Sequence, residues 1–126
     1  MEGDQQEQVR DALRARASYT MQGQKRSSVA LLLRRVPTSR VCGGQLEVLF
    51  IKRASRSRDI FSGDVALPGG KREAGETDLQ AAVRETLEEV GLDLEQPGAW
   101  ECLGRIDDRP LLNLIVCCFV FLQLLE

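Results

Sequence analysis

The chain reads as a mixed α+β domain. Three observations carry that reading. Val- and Leu-rich apolar stretches lie near the start and at the end of the sequence. A single capped amphipathic segment sits between them, at residues 78 to 90. The connections are polar, punctuated by Gly and Pro, and contain no repeat. Strands, then one central helix, then strands again fit neither an all-helical nor an all-β architecture. At 126 residues a single domain is expected, large enough to bury a core without leaning on disulfides or a structural metal.

Taken in order, residues 1 to 26 form an N-terminal extension. It is either a short helix or disordered, since over residues 4 to 21 only Val9, Ala12, Leu13 and Ala17 share a side. The segment SSVALLLRRV, residues 27 to 36, is a strand ended by Pro37. TSRVCGG supplies turn residues, and QLEVLFIKRA, residues 45 to 54, alternates as a second strand, so the two predict an antiparallel pair. The polar, basic SRSRDIFSGD is a loop. DVAL is a short strand running into a sharp backbone turn at Pro68-Gly69-Gly70. Thr77 and Gln80 have capping-box spacing, which starts a helix at 78, and Gly91 is placed to end it. A strand at residues 100 to 106, a polar solvated turn at Asp107-Asp108-Arg109-Pro110 and an apolar strand at 111 to 125 complete the domain.

Composition narrows the partners. A net charge of −2 gives no reason to expect nucleic acid. The apolar run at 111 to 125 is short for a membrane span and is broken by Asn113 and Gln123, so a buried strand is expected and a membrane is not. Four cysteines, Cys42, Cys102, Cys117 and Cys118, form no C-x-x-C pair, and histidine is absent, which disfavours zinc. Free thiols suit a reducing compartment. The acidic MEGDQQEQVR start lacks the apolar core of a secretory signal. Cytoplasmic residence is the expectation, with an organellar address left open.

The chemistry concentrates in RETLEEVG, residues 84 to 91. At 100° per residue Leu79, Ala82, Val83, Thr86, Leu87 and Val90 fall on one side, expected to pack on the sheet, and Glu85, Glu88 and Glu89 on the other. Like charges at i,i+3 and i,i+4 cost about 0.2–0.5 kcal/mol per pair in a bare helix. Arg84 offsets some of this toward Glu88. A solvated acidic face is one account. A site for a hard dication such as Mg²⁺ or Mn²⁺ is the other, since such ions take carboxylate oxygens and bridge to phosphate.

The surroundings separate the two. From Gly70 the chain reads GKREAGETDLQAAVRETLEEVGL, which fits G-x5-E-x7-R-E-U-x-E-E-x-G-U with U a bulky aliphatic. The sequence here resembles the Nudix hydrolases, with Thr86 in place of the first aliphatic. The resemblance implies an α/β/α sandwich around a mixed β-sheet, and hydrolysis of a diphosphate linked to another group. It implies that Glu85, Glu88 and Glu89 hold Mg²⁺ or Mn²⁺ with help from the Gly70 carbonyl. One glutamate, or a carboxylate from a later loop, would orient the attacking water. Arg84 would hold the catalytic glutamates, Glu76 would brace the loop, and Gly69 and Gly91 would serve as structural glycines of the motif.

Upstream, LFIKRASRSRDIFSGDVALPGGK resembles the stretch ahead of the Nudix motif in coenzyme A diphosphatases, with Leu67 where Phe is usual. This implies that Arg53, Arg56 and Arg58, together with Lys71, grip substrate phosphates, and that coenzyme A or its thioesters are the substrate. ADP-ribose, a dinucleotide, a nucleoside triphosphate, and a binding module without catalysis remain alternatives. The domain spans residues 27 to 126, and family resemblance implies a further C-terminal helix that this chain does not carry. One sheet face is therefore expected to be exposed, and the oligomeric state, a homodimer included, is open.

Overall fold

The computed structural model describes residues 5–15, 18–23, 25–36, 45–52, 63–124. Its elements are α1 (Gln5–Arg14), β1 (Arg26–Val36), β2 (Gln45–Val48), β3 (Ile51–Lys52), β4 (Val65–Ala66), β5 (Gly69–Lys71), α2 (Asp78–Val90), β6 (Trp100–Leu111) and β7 (Leu114–Gln123). The main sheet runs β2-β1-β7-β6, and β5 also pairs with β1. Among the described residues only β1 and β7 pair in parallel, so the sheet is mixed. A separate two-stranded ribbon joins β3 to β4.

The central pair explains the layering. Along β1, Ala30 and Leu32 point to one face and Leu31 and Leu33 to the other. Their β7 partners follow suit, Phe119 and Phe121 on the first face, Val120 and Leu122 on the second. Strands apolar on both sides need cover on both sides. On the first face Ala30, Leu32, Cys117, Phe119 and Phe121 pack with Ala82 of α2 and with Leu94. On the second, Val9 and Leu13 of α1 lie against Leu33, Leu103, Val120 and Leu122. The expectation of an uncovered face is thus corrected: the N-terminal helix lies on it. The attachment is light, with no residue of α1 fully buried. A salt bridge from Arg10 to Glu101 at 2.7 Å pins it, a contact worth about 0.2–1 kcal/mol where solvent reaches it.

Helix α2 begins and ends where the sequence places it. Thr77 accepts from the Gln80 amide and Gln80 reaches back to the Thr77 amide, closing the capping box. Gly91 ends the helix at φ 73°, a left-handed conformation open to Gly at little cost.

Four details depart from the sequence reading. The Pro68-Gly69-Gly70 stretch is not simply a turn, because Gly69 and Gly70 enter β5 and pair with Val29 and Ser28. The strand expected over 45 to 54 breaks at Leu49-Phe50, and its second part pairs with β4 instead. Strand β6 continues through Asp107-Asp108-Arg109-Pro110 with a register shift between Ile106 and Arg109, and the turn falls at Leu112-Asn113. Finally, the sheet-facing side of α2 is rotated. Ala81, Ala82 and Thr86 are buried, while Leu79 and Leu87 are 39% and 50% exposed. Alanines let the helix lie close to the strands, and that approach turns Glu85 inward.

Candidate metal centre

Two glycines of β5 bring this segment against the helix. A Cβ on Gly70 would lie 2.5 Å from the Glu85 carboxyl carbon and 2.7 Å from each of its oxygens. The Glu85 side chain occupies the space that any other residue at 70 would fill. It is 19% exposed, not solvated on the far side of the helix as the helical projection implied. Next door, the Gly69 amide donates to Glu89 Oε1 at 3.0 Å. A Cβ on Gly69 would meet the Ser28 carbonyl at 2.3 Å, so this strand pair tolerates only glycine there.

Arg84 organises the acids. Its Nε donates to Glu76 Oε2 at 2.7 Å and its Nη1 to Glu85 Oε1 at 3.0 Å. Nη1 also reaches Glu88 at 3.3 Å and Glu73 at 3.7 Å, and Nη2 donates to the Lys71 carbonyl at 3.0 Å. The bond to Arg84 is the main cause that holds the Glu76 carboxyl below its usual range, with the Glu73 amide adding to it. The fixed fork of a guanidinium suits this many-partner role. Arg84 thus ties the loop before α2 to the helix, and Glu76 braces that loop by accepting from the Glu73 amide at 2.8 Å.

Among the described residues no three carboxylates are arranged to hold a metal ion as they stand. Arg84 draws Glu85 and Glu88 toward itself, and the Gly69 amide holds Glu89. The donor set nevertheless fits a hard dication. Four carboxylates share one guanidinium, which leaves excess negative charge, and every candidate donor is an oxygen. Glu85, Glu88 and Glu89 are the groups available, with Gly70 packed against Glu85. Lys71 is exposed on the same strand. Arg53, Arg56 and Arg58 lie outside the described residues. The Thr86 departure from the motif is accommodated: the residue is fully buried and its hydroxyl donates to the Ala82 carbonyl at 2.7 Å.

A second charged cluster escaped the sequence reading. Asp108, expected in a solvated turn, is 2% exposed. Its Oδ2 accepts from Arg26 at 2.7 Å and its Oδ1 from Arg105 at 2.7 Å. Arg26, 5% exposed, also donates to Asp78 Oδ1 at 2.9 Å and to the Met21 carbonyl at 2.7 Å. Arg72 reaches the same Asp78 oxygen at 3.2 Å. Burial pushes the Asp78 and Asp108 carboxyls upward, but their arginine partners outweigh it and hold both below the ordinary range. Arg26 Nη2 also meets Cys117 Sγ at 3.0 Å, and burial, then the two aspartates, push that thiol up to about 11. Only a break in the apolar pattern of β6 hinted at this cluster in the sequence.

A loop, a capped helix and a glycine strand thus gather glutamates around one arginine, the parts of the motif that the sequence resembles. The chain matches the NUDIX domain over residues 18–124 and belongs to the Nudix family. It is 42% identical over 83 residues to a Schizosaccharomyces pombe protein of uncharacterized role, covering 60% of this chain and 25% of that one. It is 36% identical over 63 residues to the Mus musculus mitochondrial coenzyme A diphosphatase NUDT8, covering 49% of this chain and 30% of that one. The match therefore spans less than a third of either curated relative. In fold it resembles the Nudix hydrolase RenU of M. smegmatis, with a TM-score of 0.59 and 24% identity over 79% of this chain and 59% of that one.

Proposed function

We propose that the chain is a divalent-metal-dependent hydrolase, with Mg²⁺ or Mn²⁺ as the ion. Its substrate would be a nucleoside diphosphate linked to another group, and coenzyme A or an acyl-coenzyme A is the best candidate. The observation that carries the reading is the convergence of Glu73, Glu76, Glu85 and Glu88 on Arg84, beside a glycine against which the Glu85 carboxylate packs. Such an arrangement concentrates carboxylate oxygens on a rigid helix and the loop that leads into it, the oxygen ligands a hard cation takes. A bound dication there would neutralise charge that builds on phosphoryl oxygens. The chain's own residues supply the rest. Glu85, Glu88 and Glu89 offer ligands or a base for water, and Arg84 fixes the spacing of Glu85 and Glu88 from the loop.

Coenzyme A is favoured by two lines of support: the name of the mouse relative and the upstream RASRSRD segment. Arg53, Arg56, Arg58 and Lys71 would grip its several phosphates. The test is hydrolysis of coenzyme A, acetyl-coenzyme A, ADP-ribose, NADH and nucleoside triphosphates, with Mg²⁺ and then with excess chelator. Chelator-sensitive turnover of the coenzyme A species supports the whole reading. Turnover of a nucleotide instead retains the chemistry and replaces the substrate. Unchanged turnover in both Glu88→Gln and Glu89→Gln would refute the assignment of the site.

A further inference from the structure

We propose that Arg26 is a positioning residue for the candidate metal centre. It would act through Asp78 to set how α2 presents Glu85 to Gly70. The inference rests on the metal-site reading above and goes beyond it. One strand, β1, touches both halves of that site. Its Ser28 pairs with Gly70 and its Ser27 with Lys71, which places the glycine arm. Two residues earlier on the same face, Arg26 grips Asp78, the first residue of α2. Asp78 and Glu85 lie two turns apart, close to one line along the helix, about 10 Å from each other by the rise per residue. A pull on Asp78 therefore sets the rotation and depth of the helical line that ends at Glu85.

The geometry of Arg26 suits that task. Nε goes to Asp78, Nη1 to the Met21 carbonyl, and Nη2 to Asp108 and Cys117. Asp108 is itself held by Arg105, whose guanidinium carbon lies 5.0 Å over the Phe119 ring. Arg72, just beyond β5, closes the loop: its amide donates to the Arg26 carbonyl at 2.9 Å and its side chain reaches Asp78. The helix start, β6 and β7 thus meet at one planar fork, while the chain just after the glycine strand bonds to the same residue's carbonyl. Lysine keeps the charge but offers no such fork. Glu85 needs this help because its carboxylate faces a gap that only a glycine leaves open, where a small helix rotation moves it out.

The test uses Mn²⁺ binding by calorimetry and amide hydrogen exchange of residues 81–90 in the metal-free protein. The variants are Arg26→Lys and Asp78→Asn. Arg72→Met, which removes only the outer and more exposed partner, serves as a milder form that retains the fold. Leu103→Ala, in the core on the opposite sheet face, is the control for simple loss of stability. All are measured at a temperature where circular dichroism shows each variant folded. We expect Mn²⁺ affinity to fall about tenfold or more in Arg26→Lys and Asp78→Asn, the usual scale when groups behind metal ligands are removed. Helix amides should exchange faster in the same variants, Arg72→Met should fall in between, and Leu103→Ala should bind as the parent does. Equal Mn²⁺ affinity in the parent and all three cluster variants would overturn the role. A parent that takes up no Mn²⁺ would overturn the metal-site reading and this role with it.

Discussion

Gly69 and Gly70 are neighbours in one short strand, yet substitution should damage the protein in opposite ways. In Gly70→Ala the new methyl would sit 2.5 Å from the end of the Glu85 side chain. Ordinary contact between such atoms is about 3.5 Å, so the carboxylate must retreat by roughly 1 Å. It can do so by rotating its own torsions, at little cost to the fold. The lower backbone entropy of the unfolded alanine chain returns about 0.4–1 kcal/mol. Stability should stay within about 1 kcal/mol of the parent. Activity should not, since misplacing a reactive group by about 1 Å can cost about 100-fold in rate. In Gly69→Ala the methyl would meet the Ser28 carbonyl at 2.3 Å and the Val29 Cα at 2.6 Å, backbone atoms of the central strand that cannot step aside. That overpacking should cost about 3 kcal/mol. Thermal melts of both variants, with metal-dependent hydrolysis assayed well below the melting point, separate the two outcomes. A Gly70→Ala enzyme with full activity, or a Gly70→Ala melt as depressed as that of Gly69→Ala, would refute the reasoning.

Arg84→Lys should reduce turnover by about 100-fold while leaving most of the fold intact, because lysine cannot hold Glu76, Glu85 and the Lys71 carbonyl together; steady-state kinetics beside a melt would check it. Acid should find the weak point of the second cluster. Asp78 and Asp108 have carboxyls lowered by the fold, so their contribution is fully present above the unfolded value of about 4 and is lost as pH falls through their depressed folded values. Denaturant titrations from pH 7 downward should show that loss, and Asp108→Asn should be less stable at pH 7 with a shallower acid limb. Cys117 and Cys118, both buried and both pushed up to about 11, should resist alkylation at pH 8 until the protein unfolds, which mass spectrometry of labelled peptides would reveal. Labelling of either thiol at the rate of a free cysteine would contradict their placement.

The parts of the structure legible in the sequence are those governed by local rules. The capping box at Thr77 and the C′ glycine at Gly91 act within a turn of chain, and both helix ends fall where those residues put them. The spacing of Glu85, Glu88 and Glu89 likewise survives folding, because a helix fixes it. Rotation of that helix is a different matter. It depends on which surface the sheet offers, and two alanines allowed a closer approach than leucines would, which leaves Leu79 and Leu87 half in solvent and brings Glu85 inward. Asp107-Asp108 carried the composition of a turn, yet Arg26, far away in sequence from both aspartates, joins the nearer Arg105 and Arg72 in holding Asp108 and Asp78 inside the protein. No local pattern announces a partner so far away in sequence. The same holds for Val9 and Leu13, whose weak helical signal became meaningful only against a sheet face in need of cover.

The parallel pairing of β1 with β7 has a consequence for how the protein comes into being. The two central strands stand near opposite ends of the sequence, and they align residue by residue from Arg26 with Ile115 to Leu33 with Leu122. During synthesis β1 leaves the ribosome before β7, apolar on both faces, and must wait for residues 37–113 before its partner begins to appear. In that interval its exposed edge is open to other nascent chains. Yield in the cell should therefore depend on whatever shields that waiting strand, and stretches of slow translation ahead of β7 would prolong the exposure.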